Sequence, residues 1–207
     1  MRKIYQKAII MCSVACMGYA TPAFAADAIV KTNKAWLSGA THIYGRMTVS
    51  GITSSNIKEK GFCYSSVNQM PTVEDGTSKI YLSNQGEIYN ISQLKPATVY
   101  YIRAYVKKTN GDVVYGDPVK AITRPKGGVT YNINDGFPSD VLTRVQAAAK
   151  EAIDLWNEYT GIHGLHITIN YGAQTQTADC SYGGWMRIGP NASYQKTGTL
   201  LHEMLHA

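Results

Sequence analysis

The sequence predicts a multidomain chain, an all-β sandwich followed by a smaller α+β unit, and three observations predict it. Residues 27–123 carry short alternating apolar runs separated by turn residues, with no helical period. Residues 139–159 then repeat apolar positions every three or four residues, the period of a helix with one buried stripe. Between them stands Arg124-Pro125-Lys126-Gly127-Gly128, where a proline and paired glycines interrupt all periodicity. At 207 residues the chain is long enough for two cores of about 100 residues each.

The first 25 residues read as an address. Arg2, Lys3 and Lys7 form a positive start, Ala8 to Ala20 is apolar, and Pro22 precedes Ala23-Phe24-Ala25, a small-x-small cleavage site. The expectation is a signal peptide cut after Ala25 and an exported chain. Lipidation at Cys16 is the rival, but Ser13 stands where a lipid-attachment motif needs an aliphatic residue. The apolar run is too short for a membrane span, and no later segment reaches the length of about 18 apolar residues that a span needs.

Charge supports the same reading. The formal balance is +6, from 20 basic and 14 acidic residues. Removing the three bases of the first 25 residues leaves 17 against 14, or +3, which argues against nucleic acid as a partner. Only 16% of residues are charged and 44% are apolar, which excludes a disordered acidic chain and a coiled coil. Of four cysteines, Cys12 and Cys16 leave with the signal. Cys63 and Cys180 fall in different halves, do not form a disulfide framework, and read as buried thiols.

Along residues 26–123 seven short strands are expected. Trp36 opens the first, Tyr44, Met47 and Val49 lie in the second, and Phe62 and Tyr64 in the third. Ile80 and Leu82 mark the fourth, Ile88 and Ile91 the fifth, Val99 to Val106 the sixth and Val113 to Ile122 the last. His42 reads as a half-exposed strand residue. The stretch Leu94-Lys95-Pro96-Ala97-Thr98-Val99-Tyr100-Tyr101-Ile102-Arg103-Ala104-Tyr105 resembles the fibronectin type III pattern of Leu-x-Pro-x-Thr-x-Tyr before a strand. That resemblance implies that Tyr100 closes a corner by a hydroxyl hydrogen bond to nearby backbone. It also implies a spacer or binding module rather than a catalytic domain.

Residues 124–128 read as a linker and 129–207 as a second domain. Ser139-Asp140 starts a helix whose stripe is Leu142, Val145, Ala149, Ala152 or Ile153, Trp156 and Tyr159, and Gly161 stops it. Leu165, Ile167, Ile169 and Tyr171 alternate with His166, Thr168 and Asn170 as a half-buried strand. Residues 172–184 read as a loop and Trp185–Ile188 as a short strand. Thr197 or Ser193 is expected to cap a final helix carrying Leu200, Leu201, Met204 and Leu205.

That helix holds His202-Glu203-Met204-Leu205-His206. Residues four apart share one helix face, so both imidazoles can reach one ion. Imidazole suits Zn²⁺, and Glu203 beside the first ligand could take a proton from a metal-bound water. The expected roles are therefore metal ligation by His202 and His206, with Zn²⁺ as cofactor and Glu203 as general base.

Two phrases, Ala152-Ile153-Asp154-Leu155-Trp156-Asn157-Glu158-Tyr159-Thr160-Gly161-Ile162 and Thr199-Leu200-Leu201-His202-Glu203-Met204-Leu205-His206-Ala207, resemble the first and active-site helices of matrixin-like metzincin zinc peptidases. The resemblance implies that residues 129–207 are the N-terminal part of an α+β metzincin-like catalytic domain. It further implies a secreted zinc endopeptidase acting on protein or peptide, with Trp185, Met186, Arg187 and Ile188 as the edge strand that takes the substrate. The family's third ligand and methionine turn are absent, so the chain is expected to be a fragment that binds zinc poorly and has little or no activity. Cys180, a candidate stand-in ligand, and His42, His163 and His166 have no spacing that recruits them. The alternative expectation is a non-catalytic surface adhesion or glycan-binding module, motivated by the sandwich and the 15 tyrosines.

Overall fold

A computed structural model describes residues 27–35, 37–75, 78–81 and 88–207. The expected signal peptide, Trp36 and Leu82 lie outside the described residues.

The first half is a two-sheet β-sandwich. Strands β1 (Ile29–Thr32), β2 (Leu37–Ser38), β3 (Ile43–Ser50) and β6 (Ile88–Ile91) form one sheet, all antiparallel to β3. Strands β4 (Ile57–Ser65), β5 (Ser78–Tyr81), β7 (Val99–Lys108), β8 (Val113–Tyr115) and β9 (Val119–Ile122) form the other, with β7 at its centre. Seven strands were expected and nine are present among the described residues, because β1 lies ahead of the first expected strand and the last expected strand breaks in two. The last breaks where Gly116 donates its N–H to the Ala104 carbonyl at 2.9 Å. An added Cβ at Gly116 would stand 2.7 Å from the Thr32 backbone nitrogen, so the two sheets approach too closely there for a side chain.

The alternation explains the core. Ile43 and Met47 of β3, Phe62 of β4, Tyr89 and Ile91 of β6, and Tyr100, Ile102, Ala104 and Val106 of β7 all point between the sheets. Each fully buried large apolar side chain stabilises the fold by roughly 1.5–3 kcal/mol. The Tyr100 hydroxyl accepts the Lys95 N–H at 3.0 Å, the corner that the Leu-x-Pro-x-Thr-x-Tyr phrase implied. Cys63 is buried in the same half, as expected, while Cys180 is only half-buried; both are free thiols. Burial pushes the Cys63 thiol up to about 12.

The second half is a four-stranded mixed sheet with helices packed on it. β10 (Gly128–Ile133) and β11 (His163–Tyr171) pair in parallel and are joined through α1 (Ser139–Tyr159), since parallel neighbours need a long crossover. β13 (Trp185–Ile188) follows in parallel to β11, and β12 (Ala178–Ser181) pairs antiparallel on the far side of β13. The sheet order is therefore β10-β11-β13-β12. The α1 stripe is rotated by one residue at its start: Val141 is buried where Leu142 was expected, with Val145, Ala148, Ala149, Ala152 and Ile153 behind it. These pack on Ile167, Ile169, Met186 and Ile188 of the sheet. This core and the sandwich core share no residue.

Residues 124–128 are not a free linker. Arg124 N–H donates to Gly39 O at 2.8 Å, Gly127 N–H to Asn157 O at 2.7 Å and Gly128 N–H to Ile162 O at 2.8 Å. Asn157 also pairs with Val129 through its side-chain amide, donating to the Val129 carbonyl and accepting its N–H.

Two outcomes follow from the sandwich. Replacing Tyr100 by Phe should lower stability by about 1 kcal/mol, because it leaves the Lys95 N–H without its acceptor, and urea unfolding measures it. Native alkylation at pH 8 should spare Cys63, whose thiolate fraction there is roughly one part in ten thousand, and modify it only after denaturation.

Candidate functional site

The helix carrying the paired histidines is held by its approach segment. Gln195 is buried, donating from its side-chain amide to Gly189 O at 2.9 Å and accepting from Arg144 Nε at 2.6 Å. Arg144 also pairs with Asp140 one turn back on α1 at 2.8 Å. Helix α2 (Thr197–Glu203) then begins, with neither expected residue capping it. Lys196 occupies the cap position without a side-chain bond, and the Thr197 hydroxyl instead donates to Glu151 of α1 at 2.6 Å. Leu200 and Met204 enter the core and fix the rotation of the helix.

That rotation places both imidazoles outward. His202 and His206 are exposed, with ring centroids 5.3 Å apart and planes at 74°. The α-helix ends at Glu203, and Met204–His206 form a single tighter 3₁₀ turn, so His206 does not continue the α-helical face. Glu203 turns the other way and is only 9% exposed. With His202 it lines a groove of ≈ 430 Å³ that also contains Thr177, Ala178, Tyr194 and Thr199. Leu205 is 71% exposed and Leu201 half-buried.

A zinc centre needs a third donor, and no group of three His, Cys, Asp or Glu side chains able to hold a metal exists among the described residues. Cys180 on β12 lies close enough to Glu203 to feel its charge. Burial first, then the Glu203 and Asp179 carboxylates, pushes its thiol up and away from the thiolate that would bind metal. His166 bonds Thr130 and Asn132 at 2.8 and 2.7 Å through both ring nitrogens. His163 sits at the start of β11. His42 precedes β3 rather than lying in a strand, and its ring bonds Glu158 and Tyr159 of α1. The residues present do not fit a closed zinc site, and no chemical step is derived through one.

The expected substrate edge is also corrected. Trp185, Met186, Arg187 and Ile188 form β13, which lies between β11 and β12, so both of its hydrogen-bonding edges are occupied. The reason is that part of residues 172–184, expected as loop, folds back as β12. The turn uses Gly183 and Gly184 at φ +94° and +85°, a region that favours glycine. Met186 and Ile188 face the core, whereas Trp185 and Arg187 face solvent.

That outer face was missed as a site. Trp185 is 46% exposed, and Tyr182 in the adjoining turn is 95% exposed. The Arg187 guanidinium lies 5.3 Å from the Trp185 ring centroid and is held by two bonds to Asp179, at 2.9 and 2.7 Å. Beside them runs a polar row in which Asn132 meets His166 and Thr168, and Asn134 meets Asn170 at 2.8 Å. The strand alternation already put His166, Thr168 and Asn170 on one face; only the sheet order shows that Trp185 and Arg187 join them.

No protein-family model matches the chain, and no curated protein does. Solved structures similar to parts of it include the sixth fibronectin type III domain of human fibronectin type III domain containing protein 3, at 22% identity over 53% of this chain and 88% of that one, TM-score 0.33. The Yersinia enterocolitica family 28 exopolygalacturonase matches at 15% identity over 69% of this chain and 27% of that one, TM-score 0.36. A Bacillus cereus polysaccharide deacetylase matches at 9% identity over 70% and 51%, TM-score 0.30. The assignment to matrixin-like zinc peptidases is corrected, because among the described residues no third metal donor joins His202 and His206. The description as a metalloprotease loses its support with it. What stands is a mostly β chain whose first half is a two-sheet β-sandwich.

Two exposed imidazoles on a helix end should hold Zn²⁺ only weakly. Protein loaded with Zn²⁺ should lose it on gel filtration, as read by elemental mass spectrometry, and His206→Ala should abolish the residual binding seen by titration calorimetry.

Proposed function

We propose that this chain is an exported, non-catalytic binding module, in which the fibronectin-like sandwich is a scaffold and the outer face of the second sheet receives the ligand. The exposed Trp185, with Arg187 held between it and Asp179 and the exposed Tyr182 in the adjoining turn, carries this reading. Exposed aromatics next to an immobilised arginine combine a flat apolar surface with a rigid donor, the composition enriched at binding hot spots. Arg187 is held by Asp179 before any ligand arrives, so less rotamer freedom is lost on binding. The basic start and small-x-small site of residues 1–25 support export, and no helix among the described residues is long and apolar enough to cross a membrane. Its partner on this reading is a surface protein or glycan, the adhesion role.

A second reading keeps a metal-dependent role for α2. The proximity of the His202 and His206 rings supports it, and it needs a further donor for Zn²⁺ from outside the described residues.

Glycan and peptide arrays probed with the purified chain test the first reading. Trp185→Ala should weaken the strongest array interaction by about tenfold or more while the protein stays folded. Glu203→Ala should leave that interaction unchanged. If Trp185→Ala binds as tightly as the wild type, the outer face is not the site.

A further inference from the structure

The joint between the two halves is built from polar contacts, and that makes it a device. The two cores share no residue. Contacts between modules of one chain usually permit relative motion unless they bury a large apolar area. Here the last turn of α1 meets the segment before β3 through a compact set of hydrogen bonds. The Glu158 carboxylate accepts the Thr41 N–H at 2.6 Å, the Thr41 hydroxyl at 3.0 Å and His42 Nδ1 at 2.8 Å. The Glu158 carbonyl accepts the Ala40 N–H at 2.8 Å. The Tyr159 hydroxyl bonds His42 Nε2 at 2.7 Å, and the His42 ring stands edge-on to both Tyr159 and Tyr44. A neutral imidazole protonated at Nδ1 donates to Glu158 and accepts from Tyr159, so the set closes without a leftover donor.

Steric fit is equally tight. A Cβ added at Gly39 would lie 2.5 Å from Glu158 Oε1 and 2.8 Å from His42 Cε1. The carboxylate that would have to move is the one held by Thr41 and His42, so it cannot swing aside without losing those bonds. A Cβ at Gly127 would likewise stand 2.7 Å from Asn157 Oδ1, which presses the connecting segment onto the same helix end.

We propose that Glu158 is a latch that helps fix the angle between the sandwich and the second unit, and that releasing it loosens the joint, leaving the backbone bonds of residues 124–128 to hold it. Both halves are then presented as one rigid body, and the cleft at the joint, whose lining includes Thr41, His42, Lys150, Glu158 and the apolar Ala147 and Leu155, keeps a fixed shape. The carboxylate accepts three of the hydrogen bonds across the joint, so its loss weakens the joint. This inference is independent of what the outer sheet face binds.

Limited trypsin digestion of the folded full chain reads the latch at the Lys126–Gly127 bond, since Pro125 protects the bond after Arg124. The wild type should resist cleavage there. Glu158→Ala should be cut on the order of tenfold faster, because cleavage follows the population of the opened joint. Gly39→Ala, which keeps every charge and displaces the carboxylate, should do the same, and it serves if Glu158→Ala fails to fold. Small-angle scattering should show a larger radius of gyration for both variants, with unchanged circular dichroism. Equal cleavage rates and equal radii in the wild type and a folded variant would overturn the proposal.

Discussion

The last turn of α1 is the point on which the rest of the arrangement depends. One stripe of this helix, from Val141 to Ile153, is buried against the parallel strands and sets the position of the second core. Its final residues then do a different job. Asn157 grips the start of β10, Glu158 grips Thr41 and His42, and Tyr159 bonds His42. A helix fixed by apolar burial at one end therefore delivers a polar clamp at the other. The clamp orients the sandwich relative to the sheet, and the sheet in turn orients α2.

The paired histidines show that a local pattern can be present without a third donor beside it among the described residues. Their spacing brings the rings to 5.3 Å even though the last turn tightens to 3₁₀. Proximity also does not supply the rest of a coordination sphere, which comes from residues distant in sequence. Glu203 is turned inward beside Cys180, while the two imidazoles face solvent. The motif was legible; its environment was not, because burial is a property of packing and not of spacing.

Other elements divide in the same way. The corner at Tyr100 was legible because its partner, Lys95, is five residues away and the phrase between them is local. The start of α1 at Ser139 and the alternation of β11 were legible for the same reason. The role of His42 was not, since its partners stand 117 residues later in the chain. Strand β12 was read as loop because Asp179, Cys180 and Ser181 lack a clear alternation, and their pairing energy comes from β13. That pairing moved Trp185 and Arg187 from an edge to the middle of a sheet and turned an expected peptide edge into a solvent-facing platform.

Periodicity and short-range chemistry alone settled the β character of the first half, the long helix and the proximity of two imidazoles. These depend on contacts within about a dozen residues, where chain geometry leaves few choices. Sheet order, the inward turn of Glu203, the exposure of Trp185 and the clamp at Glu158 were settled only by the folded chain. Each is a contact between segments far apart in sequence, selected by how buried area and hydrogen-bond partners close in three dimensions.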